Sequence, residues 1–319
     1  MKKISLYSFK KELVGERASC ACSRPTGYVI LTRRIPESSF LRNARYFFYM
    51  LIPLLSACSD ANFPEYVYLD SLRVVAMIPS RPEAAPGNSI TVTPLVSDVK
   101  GNARPLTYTA KGCMDPASAG LGSDAEITCD GREDGLNTSG SFSMPGPEFT
   151  GNGPVLNIKI PAAALAGRSA AEQFIGLYYI VLFTVTDPDG KSLKTLKRIM
   201  VTSVAKLPKN TNPIVSDIRT GNESLTILPT QDATLKADIP LGAQEQYSTF
   251  SSDFKMETKT EDFYTTWFVT DGKLDGYRSI PGGGVVWTPP ASLPSSRKAV
   301  VIAVTRDGRG GETAILRSF

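Results

Sequence analysis

The sequence predicts an all-β protein in which two tandem antiparallel β-sandwiches follow an N-terminal signal segment. Short runs rich in Val, Ile, Thr and Tyr are bounded by Gly, Pro, Asn or Asp, as is typical of strands joined by turns. Helical periodicity is scarce, with one helical turn predicted in residues 161–173, and one order of elements occurs twice. The 319 residues suffice for about two domains.

An uncharged run of ten residues, 46–55, indicates export. It is too short to span a membrane as a helix, which takes about 20 residues, and it has the length of a signal-peptide core. Basic residues precede it: Arg33, Arg34, Arg42 and Arg45. We interpret residues 1–57 as a signal segment. Residues 1–32 lack an apolar run, which predicts a disordered extension or a mis-assigned start codon.

This segment ends in a short motif, Leu55, Ser56, Ala57 and Cys58. The motif resembles the lipobox of bacterial lipoprotein precursors. The resemblance implies cleavage before Cys58, a diacylglyceryl group on the Cys58 sulfur, and an acyl chain such as palmitate on the new amino terminus. Two or three lipid chains anchor a protein stably. The alternative is an ordinary signal peptide, or a buried apolar segment, with an incidental cysteine.

The lipobox resemblance also implies a location. Residues 58–66 form the expected lipidated tether, and Cys58 is followed by Ser59. An aspartate at that position favours retention in the inner membrane of enteric bacteria. We therefore expect a lipid-anchored protein of the bacterial cell envelope, with the outer membrane favoured over the inner membrane.

Charge and composition exclude several classes of function. Residues 1–57 hold ten Lys and Arg against three Asp and Glu, which leaves 25 basic and 28 acidic residues in the rest of the chain. Without a basic patch we expect no nucleic-acid partner. Histidine is absent, which removes His-dependent nucleophile schemes and the usual zinc ligand. We expect no catalytic residue, no metal ion and no cofactor beyond the lipid.

The two sandwiches are predicted over residues 67–206 and 207–319. The stretch KIPAAAL…YIVLFTVTDPDGKS, ending at Ser192, parallels VWTPPASLPSSRKAVVIAVTRDGRGG, ending at Gly311. Both contain a strand, Pro-Ala-x-Leu, a spacer, a buried strand ending in Val-Thr, and an Asp-Gly turn. Such a repeat indicates tandem copies of one unit. Residues 205–218, with two prolines, are the expected linker.

Both blocks resemble bacterial immunoglobulin-like, cadherin-like and PKD-type modules. The similarity rests on LVSDVKGNARPLTYTA and VTDPDGKS in the first block, and on NPIVSDI, TTWFVTDGKL, WTPP and VTRDGRGG in the second. It implies β-sandwiches that serve adhesion or scaffolding and not catalysis.

Calcium is the metal to test, because cadherin-like modules bind it through carboxylates. Asp187 and Asp189 could supply oxygen ligands. However, Lys100 occupies the position in the turn after Asp98 where a second carboxylate is expected. Asp307 has no acidic neighbour. We therefore favour ordinary turn chemistry over a calcium site.

A long insertion, residues 112–153, is rich in Gly, Ser and Pro and falls outside the strand pattern. It contains Cys113 and Cys129, the only cysteines after Cys58. In an exported protein two such thiols are expected to pair, and closing a loop of about 15 residues is worth about 3 kcal/mol in the chain-entropy model. Long loops on a rigid scaffold often bind ligands, so the insertion is the best candidate contact surface. A solvated loop is the alternative.

Aromatic residues offer a second candidate surface. They form either a carbohydrate-stacking platform or part of the core: Trp267, Phe268, Trp287, Tyr178 and Tyr179. The alternation of side chains along a strand favours the core, with Trp267 inward and Phe268 outward.

Three functions remain after these exclusions. The favoured one is a membrane-anchored, non-catalytic binding or adhesion module with a protein or glycan partner. The alternative is a structural accessory subunit of an envelope complex, which holds its partners by sheet edges or by the insertion. A carboxylate-dependent glycosidase ranks last: it needs no histidine, but no pair of carboxylates stands out in the sequence.

Overall fold

Strands make up nearly all the regular structure of this protein. The computed structural model describes residues 67–115, 127–144, 146–251, 253, 255–293 and 295–319. The lipobox residues Leu55, Ser56, Ala57 and Cys58 lie outside these ranges, as do the signal segment and the tether, so export and lipidation stay predictions. No helix in the described ranges is long and apolar enough to cross a membrane.

The elements of the N-terminal half (residues 67–206) are β1 (Arg73–Pro79), β2 (Glu83–Ala84), β3 (Ser89–Ser97), β4 (Leu106–Met114), β5 (Asn137–Phe142), β6 (Thr150–Asn152), β7 (Leu156–Lys159), α1 (Ala170–Ile175), β8 (Leu177–Thr186) and β9 (Ser192–Val201). Those of the C-terminal half (residues 207–319) are β10 (Asp217–Thr220), β11 (Glu223–Ser224), β12 (Ala233–Asp238), β13 (Gln246–Phe250), β14 (Met256–Thr260), β15 (Tyr264–Val269), β16 (Lys273–Leu274), β17 (Arg278–Ser279), β18 (Val285–Thr288), β19 (Val300–Arg306) and β20 (Glu312–Ser318).

The short helix α1 begins later than the sequence suggests. Ser169 caps it: the Ser169 hydroxyl accepts the backbone N–H of Glu172, and the Glu172 carboxylate accepts the backbone N–H of Ser169 at 2.8 Å. This reciprocal pair is a capping box. Gly167, at φ +73°, separates the helix from Pro161, so the helical turn predicted to start at Pro161 starts at Ala170.

The strands assemble into four main sheets, which we number I to IV. In sheet I, β3 pairs with β1, β6 and β7. Sheet II has the order β2-β9-β8-β4-β5, sheet III the order β17-β15-β19-β20, and sheet IV the order β11-β10-β12-β18-β16. All these pairs are antiparallel except β2 with β9. Strands β13 and β14 form a separate hairpin.

Both halves have the same order of strand pairing. In the N-terminal half β9-β8-β4-β5 faces β1-β3-β7, and in the C-terminal half β20-β19-β15-β17 faces β10-β12-β18. The turns match as well. The Asp187 carboxylate accepts the backbone N–H groups of Asp189 and Lys191 at 3.1 and 2.9 Å, and the Asp307 carboxylate accepts those of Arg309 and Gly311 at 2.7 and 2.9 Å.

Three apolar clusters hold the sheets together. The first lies between sheets I and II and includes Val92, Ile158 and Phe183. The second lies between sheets III and IV around Trp267 and Trp287. The third joins sheet I to sheet III and contains, from β1, β3, β15 and β19, Val75, Ala76, Leu95, Phe268, Ile302 and Val304. Described residues of both halves therefore belong to one compact unit.

The third cluster corrects the expectation for Phe268. Its side chain points away from Trp267, as the alternation predicts, but it is fully buried because sheet I covers the outer face of sheet III. Five of the six residues of β15 are buried. Strand β19 is buried at its first six residues as well, and its run of Val, Ile and Ala is typical of a strand that is covered on both faces.

The first described residues pair with the C-terminal half. Tyr68 forms a parallel bridge to Val269. The Leu69 N–H donates to the Val269 carbonyl at 2.9 Å, and the Val269 N–H donates to the Val67 carbonyl at 3.0 Å. The chain therefore contacts β15 of the C-terminal half before it forms β1.

Candidate functional site

A disulfide fixes the start of the insertion. Cys113 on β4 is bonded to Cys129, with 5.6 Å between their Cα atoms, which is the pairing expected from the sequence. Both cysteines are buried and pack on the outer face of sheet II against Ile180 and Leu182. The bridge thus covers apolar side chains that β8 would otherwise expose to water.

Polar contacts hold the segment that follows the disulfide. The Lys111 ammonium contacts Asp130 at 2.6 Å and Glu133 at 2.9 Å, and the hydrogen bond to Asp130, followed by that to Glu133, raises the pKa of Lys111. The backbone of Gly112 donates to the Leu136 carbonyl at 2.9 Å and accepts from the Asp134 N–H at 2.9 Å. The insertion therefore returns to the edge of β4 directly after the disulfide.

Gly112 is the residue that this return requires. A Cβ atom at Gly112 would lie 2.1 Å from the Tyr179 hydroxyl, closer than atoms can approach. The Tyr179 hydroxyl donates to the Asp134 carbonyl, and burial raises its pKa well above the ordinary value. Tyr179 is thus a core residue whose polar end ties down the insertion.

The insertion also contains strands, so the expectation that it falls outside the strand pattern is wrong. Residues of β5 pair with β4 from Leu106↔Phe142 to Lys111↔Asn137, and β6 pairs with β3. Strand β5 forms the outer edge of sheet II, and five of its six residues are exposed. The sequence NTSGSF has little strand propensity, which is why the sequence pattern missed it.

A groove runs beside β5. Two adjoining cavities of about 460 and 540 Å³ share Gly135 and Asn157. The first is bordered by β4, the start of β5 and β7: Tyr108, Glu133, Leu136, Asn137, Thr138 and Val155. The second lies along the paired residues of β3 and β7. The size of the first lies in the range of ligand sites.

The pairing register decides which backbone groups of β5 are free. The Gly112 N–H bonds to the Leu136 carbonyl, and hydrogen-bonded pairs alternate along an antiparallel ladder. Thr138 and Gly140 therefore bond to β4, whereas Asn137, Ser139 and Ser141 direct their N–H and C=O groups outward. Within the described part of the chain no residue pairs with these outward groups.

The carboxylates considered for calcium surround an arginine. The Arg104 guanidinium contacts Asp98 at 2.8 Å, Asp187 at 3.0 Å and Asp189 at 3.0 Å. The hydrogen bond to Asp98 is the main cause that raises the pKa of Arg104. In the described ranges no group of three or more Cys, Asp or Glu residues is arranged to hold a metal ion.

A second cleft, which we call the α1 cleft, lies where α1 approaches the β13–β14 hairpin. Its volume is about 210 Å³, and its lining includes Phe174, Tyr178, Lys206, Tyr247, Phe250 and Arg309. The rings of Phe174 and Phe250 meet edge to face at 5.7 Å, and the Arg309 guanidinium lies 4.0 Å from the centre of the Tyr247 ring.

Buried charges form the floor of the α1 cleft. Glu83 contacts Lys206 at 3.3 Å and Arg309 at 3.7 Å. Burial opposes ionisation of Glu83, but hydrogen bonds from Thr202 and Asn210, together with the charge of Lys206, outweigh it, so the pKa of Glu83 lies below its ordinary value. No sequence spacing predicted this cleft, because its residues come from distant segments.

The aromatic residues singled out in the sequence do not form one surface. Trp267, Phe268, Trp287 and Tyr179 are fully buried. Tyr178 alone of the five is exposed, at 40%, and it lines the α1 cleft. Four of the five therefore belong to the core.

Comparisons with known proteins give no family. No protein-family model matches the chain, and no curated protein matches it. Among solved structures, the periplasmic chaperone SfaE aligns over 76% of this chain and 98% of its own, at 11% identity and a TM-score of 0.27. Dimeric latent PorU from Porphyromonas gingivalis aligns over 78% of this chain and 24% of its own, at 10% identity and a TM-score of 0.19. Both TM-scores are low, and neither similarity assigns an activity to this chain.

Proposed function

We propose that this protein is a lipid-anchored, non-catalytic binding module of the bacterial cell envelope that contacts its partner through the insertion. The observation that carries the proposal is that β5 is exposed and yet held in place by several contacts. A disulfide, the Lys111 ion pairs and the Gly112 backbone bonds hold an exposed strand beside a groove of about 460 Å³. A solvated loop needs none of these restraints.

The strand order supports the immunoglobulin-like part of the proposal. In the N-terminal half β9, β8, β4 and β5 correspond to strands G, F, C and C′ of that fold, and β1, β3 and β7 to strands A, B and E. The C-terminal half follows the same order. Tandem sandwiches of this kind are rigid scaffolds on which loops and edges bind other molecules.

The first described residues contact the end of β15 that lies away from the α1 cleft. Val67 and Leu69 bond to Val269 at the end of β15. Tyr264, which begins β15, pairs with Arg306, three residues before Arg309 of the α1 cleft. Five residues of strand separate these points, or about 17 Å.

An accessory subunit of an envelope complex is the second candidate. The free edge of β5 favours it, because an unpaired edge can bind a neighbouring chain in a fixed geometry. A glycosidase needs two carboxylates that face a substrate across an open site. The closely placed carboxylates Glu83 and Glu261 are instead buried, and both contact Arg309.

The anchor is tested by intact mass measurement of membrane-extracted protein. We expect a chain that begins at Cys58 and carries the added mass of a diacylglyceryl group and an acyl chain. Cys58→Ser should leave the mature membrane fraction, whereas Ser59→Ala, next to the lipobox, should keep the anchor. A Cys58→Ser protein that matures and fractionates with membranes as the parent does contradicts the proposal.

A further inference from the structure

We propose that the free edge of β5 binds an extended segment of a partner protein, which adds to sheet II as a further strand and places an apolar side chain in the groove between β5 and β7. The inference rests on the proposed binding function, and it does not depend on the lipid anchor. It names the class of partner: a polypeptide segment with alternating apolar and polar residues.

The first argument is the hydrogen-bonding capacity of the edge. Asn137, Ser139 and Ser141 present outward N–H and C=O groups at the spacing of a strand ladder, with no partner among the described residues. Such a row binds an extended chain through main-chain hydrogen bonds. The side chains along it are small, so they do not obstruct an approaching backbone.

The second argument is the absence of the features that keep edge strands unpaired. Natural edges are shortened, charged, interrupted by Pro or covered. Strand β5 has six residues, NTSGSF, with no charge and no Pro. Its pairing with β4 is regular over all six positions. This edge is therefore ready to accept another strand.

The third argument is the groove beneath the edge. Thr138, Gly140 and Phe142 lie opposite Ala110, Tyr108 and Leu106, two of which are in the core between sheets I and II, so this side of β5 faces inward. A Cβ atom at Gly140 would lie 2.9 Å from the Tyr108 ring. Glycine thus lets β5 lie close over this ring.

The lining of the groove indicates what the added strand supplies. Tyr108, Leu136 and Val155 contribute apolar surface beside the polar residues Glu133, Asn137, Thr138 and Asn157, and Val155 is 56% exposed. An inward-pointing apolar side chain of the added strand would cover Val155 and remove this surface from water. Across the groove, Asn157 of β7 directs backbone groups outward that have no backbone partner among the described residues, because the Ile160 N–H bonds to the Asn88 carbonyl and sets the alternation.

The same groove argues against a second copy of this chain as the occupant. Antiparallel pairing of β5 with β5 of another copy, centred on Ser139, would place Gly140 and Thr138 of that copy opposite Thr138 and Gly140. These are too small to fill a cavity of about 460 Å³. A partner segment with larger apolar residues at alternate positions fits better.

The experiment uses the full chain in detergent and a synthetic peptide of alternating leucine and threonine with a lysine at each end. Amide hydrogen exchange is measured at single residues with and without peptide. We expect at least tenfold slower exchange at Asn137, Ser139 and Ser141, and little change at Thr138 and Gly140, whose N–H groups already bond to β4. Slowed exchange elsewhere, with no change at these three residues, overturns the proposal.

A matched pair of variants tests the edge itself. Ser139→Pro removes an outward N–H without breaking the β4–β5 ladder, because Pro is accepted at such edge positions. Ser139→Ala keeps the N–H. We expect the peptide affinity to fall at least tenfold in Ser139→Pro and to stay within twofold in Ser139→Ala. Equal affinity of both variants overturns the proposal, and circular dichroism checks that both are folded.

Two further outcomes are distinguishable. If the chain self-associates without peptide and Ser139→Pro abolishes that association, the occupant is a second copy and the proposed partner class is wrong. If Cys58→Ser remains membrane-bound but Ser139→Pro still loses the peptide, the lipid anchor fails while the strand-addition site stands.

Discussion

Strands β5 and β17 occupy the same position in the two halves but form opposite kinds of edge. Strand β5 has six residues and exposes three outward backbone positions without a charge. Strand β17 has two residues; its outward position is Arg278, whose guanidinium lies 4.6 Å from the centre of the Tyr264 ring, and Pro281 follows closely. A short, charged edge near a Pro resists pairing. One strand order therefore supports both a protected edge and an open one.

Strands β8 and β19 also occupy the same position in the two halves, but different parts of the chain cover their outer faces. The outer face of β8 carries Ile180 and Leu182, which pack against Cys113, Cys129 and Ile127. The outer face of β19 carries Ile302 and Val304, which sheet I covers. The N-terminal half thus covers itself with its insertion, whereas the C-terminal half uses its neighbour. The substitutions below test how much each half depends on the residues that cover its outer face.

The largest effect is expected at the contact between sheets I and III. Phe268→Ala removes a fully buried ring from this contact, and such truncations cost about 3–5 kcal/mol. We expect the free energy of unfolding in urea to fall by that amount. Tyr178→Ala, at a residue that is 40% exposed, is the control and should cost clearly less. Equal losses in the two variants would show that sheet III does not depend on the cover from sheet I.

A smaller loss of unfolding free energy is expected when the disulfide on the outer face of sheet II is removed. The double variant Cys113→Ser and Cys129→Ser opens a disulfide with a sequence separation of 16. Removing such a bridge costs about 2–4 kcal/mol, which urea unfolding would measure. We also expect faster amide exchange in β5, since the bridge fixes the insertion. A double variant with unchanged exchange at Ser139 would mean that pairing with β4 alone holds the edge.

The smallest effect is a dependence on pH at Arg309, which contacts a carboxylate from each half. The pKa of Glu83 is lowered. Burial, followed by the charges of Asp307 and Glu245, raises the pKa of Glu261 despite its hydrogen bond from Glu245 and the charge of Arg309. Stability from Glu83 is present above its unfolded pKa of about 4.3 and is lost as the pH falls through the lower folded pKa. Stability from Glu261 is present below the unfolded pKa and is lost as the pH rises through the higher folded pKa.

The matched variants Glu83→Gln and Glu261→Gln measure these two contributions. In urea unfolding between about pH 3 and 7, Glu83→Gln should lose less stability on acidification than the parent. Relative to the parent, Glu261→Gln should become more stable as the pH rises through the acid range. Parallel pH profiles for the two variants would mean that the two carboxylates are equivalent.

The sequence predicts the strands and the disulfide better than the surfaces. Runs such as that of β8 are rich in β-branched residues, and the turns at Asp187 and Asp307 share a local pattern that proved to share its hydrogen bonds. These features depend on neighbouring residues. Alternation tells which side of its own sheet Phe268 faces, but it does not tell whether another sheet covers that side. The continuous apolar run of β19 was the available signal for a covered face.

The candidate sites were harder to predict for a physical reason. Strand β5 has weak propensity, and its pairing with β4, which is distant in the sequence, defines it. The α1 cleft joins Glu83, Phe174 and Arg309, which no spacing in the sequence relates. Both sites form through contacts between segments that are distant in the sequence, whereas sequence motifs consist of neighbouring residues.

The pairing of Val67 and Leu69 with Val269 has a mechanical consequence. A force applied to the chain before Val67 acts on β15 at Val269 before it acts on β1. Strand β15 lies late in the sequence and is therefore synthesised late. In a nascent or truncated chain without β15, Val67 and Leu69 would lack these backbone hydrogen bonds. The pairing of Val67 and Leu69 with Val269 therefore forms only after β15 has been synthesised.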